Sequence, residues 1–222
     1  FIWGDTMSGK SFLATRFPET IVLSTDDNEK NSGTRPTIPL ANVRDSRGKL
    51  TTSVIDTLDE SILALKTEAN SYKTVVIDVI EDVCTLIEQS ICIENGVKTI
   101  GDIPFGKGWS LFNTTLQQLI LDLKGLPMNI VYISREDSRT EDNVTKPVPA
   151  LKQKYYNVVN GNCDLVIRTQ HIGKNYIRTA TDIRKQYKAS EINDDHILRI
   201  LQAIPGALVK EKVTTTNNKD GK

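Results

Sequence analysis

Gly4-Asp5-Thr6-Met7-Ser8-Gly9-Lys10-Ser11, near the start of this 222-residue chain, matches the pattern GxxxxGK[ST] at every fixed position. The apolar residues 1–3 precede it and an amphipathic segment that begins with Phe12 follows it, as expected for a strand, a phosphate-binding turn and a helix. Glycine permits backbone angles that are closed to other residues, so successive N–H groups can turn inward around phosphate oxygens. We therefore predict that residues 4–12 bind a nucleotide, with Lys10 at its β- and γ-phosphates and Ser11 on Mg²⁺. The alternative is a glycine-rich structural turn.

A second nucleotide motif is predicted at Val75-Val76-Ile77-Asp78, an apolar strand that ends in an acid. The Asp78 carboxylate would help to hold Mg²⁺. Alternatively, Asp78 caps the helix that follows.

The carboxylate that polarises water for hydrolysis is less obvious. Val79 stands where many ATPases carry a catalytic Glu, so this group must come from elsewhere. The candidates are Asp26 and Asp27, after a predicted strand, and Glu81. All three lie at the carboxyl ends of strands, where open α/β sheets bind ligands. Glu81 also suits a first-turn helix position, which the helix dipole favours for an acid.

Apolar, β-branched segments alternate with segments of helical periodicity along the chain, which predicts an α/β domain with a mostly parallel central sheet flanked by helices. The predicted strands are 1–3, 20–25, 74–78, 129–134, 164–169 and 176–181. The predicted helices are 11–17, 54–69, 81–94, 111–123 and a last one that ends at residue 201.

The predicted domain covers residues 1–205 and is followed by a polar tail, 206–222. Residues 28–50 and 135–160 show neither the apolar runs of strands nor the periodicity of helices. We therefore predict that they form two long mobile loops. The first strand would be unusually short and no Met precedes it, so we expect further residues upstream.

Composition and charge narrow the class of protein. No apolar run approaches the roughly 20 residues that span a bilayer, no secretory signal opens the chain, and the three Cys lack metal or disulfide spacing. We therefore expect a cytoplasmic protein that does not insert into membranes. Residues 1–145 carry a net charge of −7 and residues 146–190 a net charge of +7. Such polarity favours a polyanionic partner, although a solvated surface would look the same.

The phosphate-loop motif, the second nucleotide motif and the segments around them resemble RecA-like phage NTP-binding proteins with an AAA-type domain. This family includes phage single-strand annealing ATPases. The resemblance covers roughly residues 1–190 and rests on residues 2–11, Phe17-Pro18, 21–26, 75–78, 105–109 and 130–134. It implies a RecA-like P-loop NTPase core that binds ATP with Mg²⁺ and forms a homo-oligomeric ring or filament. It also implies a DNA-stimulated ATPase that acts on single-stranded DNA in recombination or annealing, in the host cytoplasm, with a single-strand-binding protein as a candidate partner.

The resemblance also implies roles for particular residues. Asp26 matches the position of a hydrolytic Glu in relatives. Ser134-Arg135 matches a polar position that senses nucleotide, so Arg135 either contacts a γ-phosphate, in its own or a neighbouring subunit, or is solvated. Residues 101–109 and 135–160 match DNA-binding loops, whose candidate contacts are Lys107, Trp109, Arg139, Lys146, Lys152 and Lys154. Base stacking and core packing both remain open for Trp109, Tyr155 and Tyr156.

Two other functions fit the same loop. One is a nucleotide-dependent assembly or helicase-loading module with little hydrolysis. The other is a P-loop small-molecule kinase, which would need an arginine-rich lid that could draw on Arg139 and Arg168.

Overall fold

A computed structural model describes residues 1–26 and 35–209 of the chain. Its central sheet has eight strands, of which seven follow the order β10-β9-β1-β7-β6-β2-β3, while β8 pairs with β7 alone. The strands of this sheet are β1 (Ile2–Gly4), β2 (Thr20–Ser24), β3 (Thr37–Pro39), β6 (Thr74–Asp78), β7 (Asn129–Glu141), β8 (Val144–Pro149), β9 (Leu165–Ile172) and β10 (Asn175–Ile183). A separate antiparallel pair is formed by β4 (Val43–Arg44) and β5 (Leu50–Thr52).

The centre of the sheet is parallel. Pairs β9–β1, β1–β7, β7–β6, β6–β2 and β2–β3 are parallel, and only the pairs β9–β10 and β7–β8 of this sheet are antiparallel. All five residues of β2 and of β6 are buried, because these β-branched, apolar strands are covered on both faces. The predicted α/β fold with a mostly parallel central sheet is thus confirmed.

Helices cover both faces of the sheet. They are α1 (Lys10–Ala14), α2 (Val54–Thr67), α3 (Ile80–Glu94), α4 (Lys107–Lys124), α5 (Gln153–Asn160) and α6 (Asp195–Gln202), with 3₁₀ turns at Ile100–Asp102, Pro104–Gly106 and Ala189–Glu191. Apolar residues of α2, α3, α4 and α5 share one core cluster with one face of the sheet, and those of α1 and α6 share a second cluster with the other. None of the helices in the described ranges is both long and apolar enough to cross a bilayer.

Residues 135–160 are not the long loop that their composition predicts. The strand β7 continues to Glu141 and turns back into β8, and α5 follows; we call residues 135–149 the β7–β8 hairpin. Asp142 and Asn143 form the turn with φ of 50° and 61°, a conformation that suits Asp and Asn in two-residue hairpins. Pro147 and Pro149 are tolerated because β8 pairs on one side only.

The described part of the other predicted loop, 35–50, also contains strands. Here β3 adds a parallel strand to β2, and β4 with β5 forms the small antiparallel pair. Residues 27–34 lie outside the described residues, as do 210–222 of the predicted tail.

Candidate functional site

The phosphate-loop pattern at residues 4–11 connects β1 to α1 at the carboxyl edge of the sheet. Gly4 fits closely against the neighbouring strand, since a Cβ on it would lie 2.0 Å from the backbone O of Thr169 and 2.6 Å from its Oγ1. Gly9 precedes α1 with φ 85°, in the left-handed region that favours glycine. Ser8 is buried with its Oγ 2.6 Å from Thr169 Oγ1. Both glycines are therefore required by the shape of the turn.

The middle of the phosphate loop is exposed to solvent. Asp5, Thr6 and Met7 are exposed, and Asp5 Oδ1 accepts a hydrogen bond from Thr6 N at 2.7 Å. Phe12, the predicted last binding residue, is also exposed.

Lys10 lies over the phosphate loop. Its Nζ donates to the backbone O of Gly4 at 2.8 Å and of Asp5 at 2.7 Å. Burial lowers the pKa of Lys10, while the nearby charges of Asp78, Glu81 and Asp5 act in the opposite direction. The ammonium is thus held by two neutral carbonyl groups, near acids that favour its charged form.

Ser11 and Asp78 meet at the carboxyl end of β6. Ser11 Oγ donates to Asp78 Oδ2 at 2.7 Å, although 67 residues separate them. A hydroxyl and a carboxylate are oxygen donors that suit Mg²⁺, so these two predicted ligands fit that ion. Thr25 supports the site, because its N and Oγ1 both donate to the backbone O of Asp78, at 2.8 and 3.3 Å.

Glu81 lies in the first turn of α3 with its side chain 15% exposed. Burial raises the pKa of this carboxyl, although hydrogen bonds and the Arg135 charge oppose the rise. Its Oε1 accepts from the backbone N of Arg135 at 2.7 Å. Its Oε2 is buried with no hydrogen-bond partner among the described residues. Glu81 therefore combines increased basicity with one available acceptor oxygen near Lys10.

The guanidinium of Arg135 forms an ion pair with Asp82. Its Nη1 and Nη2 donate to the two carboxylate oxygens of Asp82 at 2.8 and 2.6 Å. This hydrogen bonding raises the pKa of Arg135. The distance from Arg135 Nη1 to Glu81 Oε1 is 3.8 Å. Arg135 lies at the point where β7 leaves the sheet.

Asp26 follows β2 and is exposed. Its backbone N donates to Ser24 Oγ at 3.0 Å, and Ser24 Oγ donates to its backbone O at 2.9 Å. Its charge favours the charged form of Arg135, so the two lie within electrostatic range. Asp27 lies outside the described residues.

The model of one protein family, described as AAA domain, matches residues 1–204. This chain belongs to the AAA domain family. No curated protein matches it. A similar solved structure is that of the flagellar accessory protein FlaH from Methanocaldococcus jannaschii, with 13% sequence identity and a TM-score of 0.33. The match covers 82% of this chain and 76% of the FlaH chain. Family membership identifies the chain as an AAA-type P-loop NTPase domain.

The predicted DNA contacts of this AAA domain lie on the β7–β8 hairpin, α5 and α4, and α5 contacts the other two elements. Arg139 and Lys146 are directly opposite in the β7–β8 hairpin, and Lys152 and Lys154 lie at the start of α5. Arg139 Nη1 donates to Gln153 Oε1 at 2.9 Å, which joins the hairpin to α5.

The first turns of α4 carry the remaining two candidates, Lys107 and Trp109. Ring contacts link Trp109 to Phe112 (6.5 Å between centroids) and Phe112 to Tyr155 of α5 (4.6 Å). Trp109 remains 39% exposed. Tyr155 is buried in the core, which leaves its ring no free face for stacking, whereas Tyr156 is partly buried and contacts Phe1 edge-to-face.

Two residues that the sequence did not single out lie beside the phosphate loop. Tyr176 and Arg178 of β10 line a pocket together with residues 7–12. Because they are two apart in a strand, they face the same side. The signal in the sequence was this alternation of aromatic and basic residues in a predicted strand, but nothing in the sequence placed that strand near residue 9.

Proposed function

We propose that this AAA domain hydrolyses ATP with Mg²⁺ and that, as a phage recombination protein, it uses the cycle to act on single-stranded DNA. The hydrogen bond from Ser11 to Asp78 carries the nucleotide part of the proposal, because it joins two motifs from distant parts of the chain at one Mg²⁺-compatible point. Bound Mg²⁺ would neutralise charge on the terminal phosphates. The backbone of the phosphate loop and Lys10 would orient the triphosphate.

Glu81 is our candidate for the carboxylate that polarises the attacking water. A general base works best when its pKa approaches the working pH, and burial shifts Glu81 in that direction. Its unpartnered Oε2 offers a place for water. Asp26, the residue favoured by the resemblance, is one methylene shorter than Glu and more exposed.

Two amide variants separate these carboxylates. Glu81→Gln is expected to lower phosphate release by about 100-fold or more, in line with typical general-base effects, while ATP binding is retained. Asp26→Asn is expected to retain most of the activity. Measured phosphate release with the opposite ranking would assign the base to Asp26 and contradict the role of Glu81.

Coupling to DNA would begin at Arg135. Its backbone N contacts Glu81, and its backbone O accepts from the N of Ala150, just after the β7–β8 hairpin. Beside it, Arg168 of β9 forms a bidentate pair with Glu136, at 3.0 and 2.9 Å, which ties the base of the hairpin to the strand next to β1. A change at Glu81 on nucleotide binding would therefore act directly on the start of the hairpin.

Fluorescence anisotropy of a labelled single strand, with and without a non-hydrolysable ATP analogue, tests the DNA part of the proposal. We expect binding that depends on the analogue, and phosphate release that rises when DNA is added. Equal and negligible binding in both conditions would contradict it.

An assembly module with little hydrolysis is the second candidate. Val79 follows Asp78, and one oxygen of Glu81 is already bound by a backbone N–H. Tight ATP binding without phosphate release, with or without DNA, would favour this function.

A further inference from the structure

A pocket of about 600 Å³ extends from the phosphate loop toward the edge of the sheet. Residues 7–12 form one side of it, and Tyr176 and Arg178 of β10 form the other. The mechanism above uses only the side next to Lys10 and Ser11, because a phosphate loop binds phosphates. The remainder of the pocket has no role in that mechanism.

Tyr176 is held in place at this pocket. Its ring stacks on His171, its cross-strand neighbour, with 4.4 Å between centroids and an angle of 10°. A Cβ on Gly9 would lie 3.3 Å from Tyr176 Cδ1, so the ring reaches the backbone of the phosphate loop. The side chain nevertheless remains 57% exposed. It therefore presents an ordered aromatic surface next to the phosphate loop.

Arg178 adds a planar cation. Its guanidinium lies 6.0 Å from the centre of the Phe12 ring, and that of Arg16 lies 4.9 Å from the same ring. Burial, followed by repulsion from Arg16, lowers the pKa of Arg178. Within the described parts of the chain, neither arginine has an acidic partner within ion-pair distance. Two neighbouring guanidinium groups without a counter-charge favour an electron-rich or anionic ligand.

We propose that the nucleoside part of the bound nucleotide occupies this pocket, with its base packed against Tyr176 and Arg178. The inference rests on the proposed nucleotide binding and adds the recognition of the base and ribose to it. Aromatic rings and guanidinium planes both stack on nucleobases. The pocket joins the phosphate loop without a break, so one ligand can fill both parts. The protein would then distinguish a nucleoside triphosphate from a bare triphosphate chain.

Calorimetric titration with ATP and with inorganic tripolyphosphate, both with Mg²⁺, tests this inference. The variants are Tyr176→Ala and Arg178→Lys, which leave the net charge unchanged. The controls are Tyr176→Phe, which keeps the ring, and Arg47→Lys, which makes the same exchange in the turn between β4 and β5. We expect both test variants to weaken ATP binding about fivefold or more, with tripolyphosphate binding unchanged, and both controls to match the wild type.

The possible results have distinct meanings. Unchanged ATP affinity in both test variants would overturn the inference while leaving nucleotide binding intact. A wild-type protein that binds neither ligand would overturn the proposed function, and this inference with it. Tripolyphosphate binding also reports whether each variant keeps a folded phosphate loop. If Tyr176→Ala no longer binds tripolyphosphate, the ATP affinity of Arg178→Lys decides whether the inference holds.

Discussion

A single methyl group at position 4 tests how closely the phosphate loop is built against β9. In Gly4→Ala the new carbon would meet the backbone O of Thr169 at 2.0 Å, where neither group can move without displacing a buried strand. We expect a loss of about 2 kcal/mol or more in the free energy of unfolding, as for other overpacked sites. Urea denaturation measures this loss. Gly101→Ala is the control, because its Cβ would meet nothing closer than 3.8 Å, and an equal loss in both variants would contradict the account.

The buried carboxyl of Glu81 predicts a pH-dependent stability. Its pKa is raised in the folded protein, so its ionised form costs folding free energy once the pH rises above the ordinary value of 4.5. Glu81→Gln removes this cost. We expect the variant to gain stability over the wild type as the pH rises from about 4.5 through the raised pKa, and to show no such gain at lower pH. Denaturation across pH 4–8 would contradict this if the difference were constant.

Among the secondary-structure elements, the β7–β8 hairpin carries the most direct prediction about DNA. Arg139 and Lys146 lie opposite each other on it, so both can reach one phosphate backbone. Each lost phosphate contact should reduce the slope of log affinity against log salt by about 0.7 for a single strand. The double variant Arg139→Ala/Lys146→Ala is therefore expected to lower the slope by about 1.4, measured by anisotropy at several salt concentrations. Lys49→Ala, in the turn between β4 and β5, should leave it unchanged, and equal slopes in all three proteins would exclude the hairpin as a contact.

This hairpin also shows where sequence patterns fail. Beyond Ser134, β7 leaves the sheet, so neither face of it is buried and the apolar alternation that indicates a strand is absent. Its partner β8 contains two prolines that a central strand could not accept. The central strands β2 and β6 were predicted within one residue at each end, because burial on both faces demands a continuous apolar run.

Across the fold as a whole, the parallel strand order brings the two motifs together. β7 separates β1 from β6, and both end at the same edge of the sheet, so Ser11 reaches Asp78. The sequence predicted the phosphate loop and Asp78, because each follows a local pattern. It also predicted that they lie at the carboxyl edge of the sheet, because the strands that lead to them are parallel. It could not predict that Tyr176 reaches Gly9, since this depends on the antiparallel return of β10 beside β9. The partners of Glu81 and Arg135 likewise depend on contacts between distant segments.

Calorimetry of ATP binding with Mg²⁺, in the wild type and in Lys10→Ala, tests the central claim most directly. Lys10 contributes the one side-chain cation of the phosphate-loop motif, so its loss removes a charge-assisted contact to the terminal phosphates. Such contacts are worth about 1.5–3 kcal/mol, which corresponds to about 10- to 150-fold in affinity. We predict clear binding by the wild type and at least tenfold weaker binding by the variant. An absence of heat with millimolar ATP or GTP, or equal affinity in both proteins, would contradict the account.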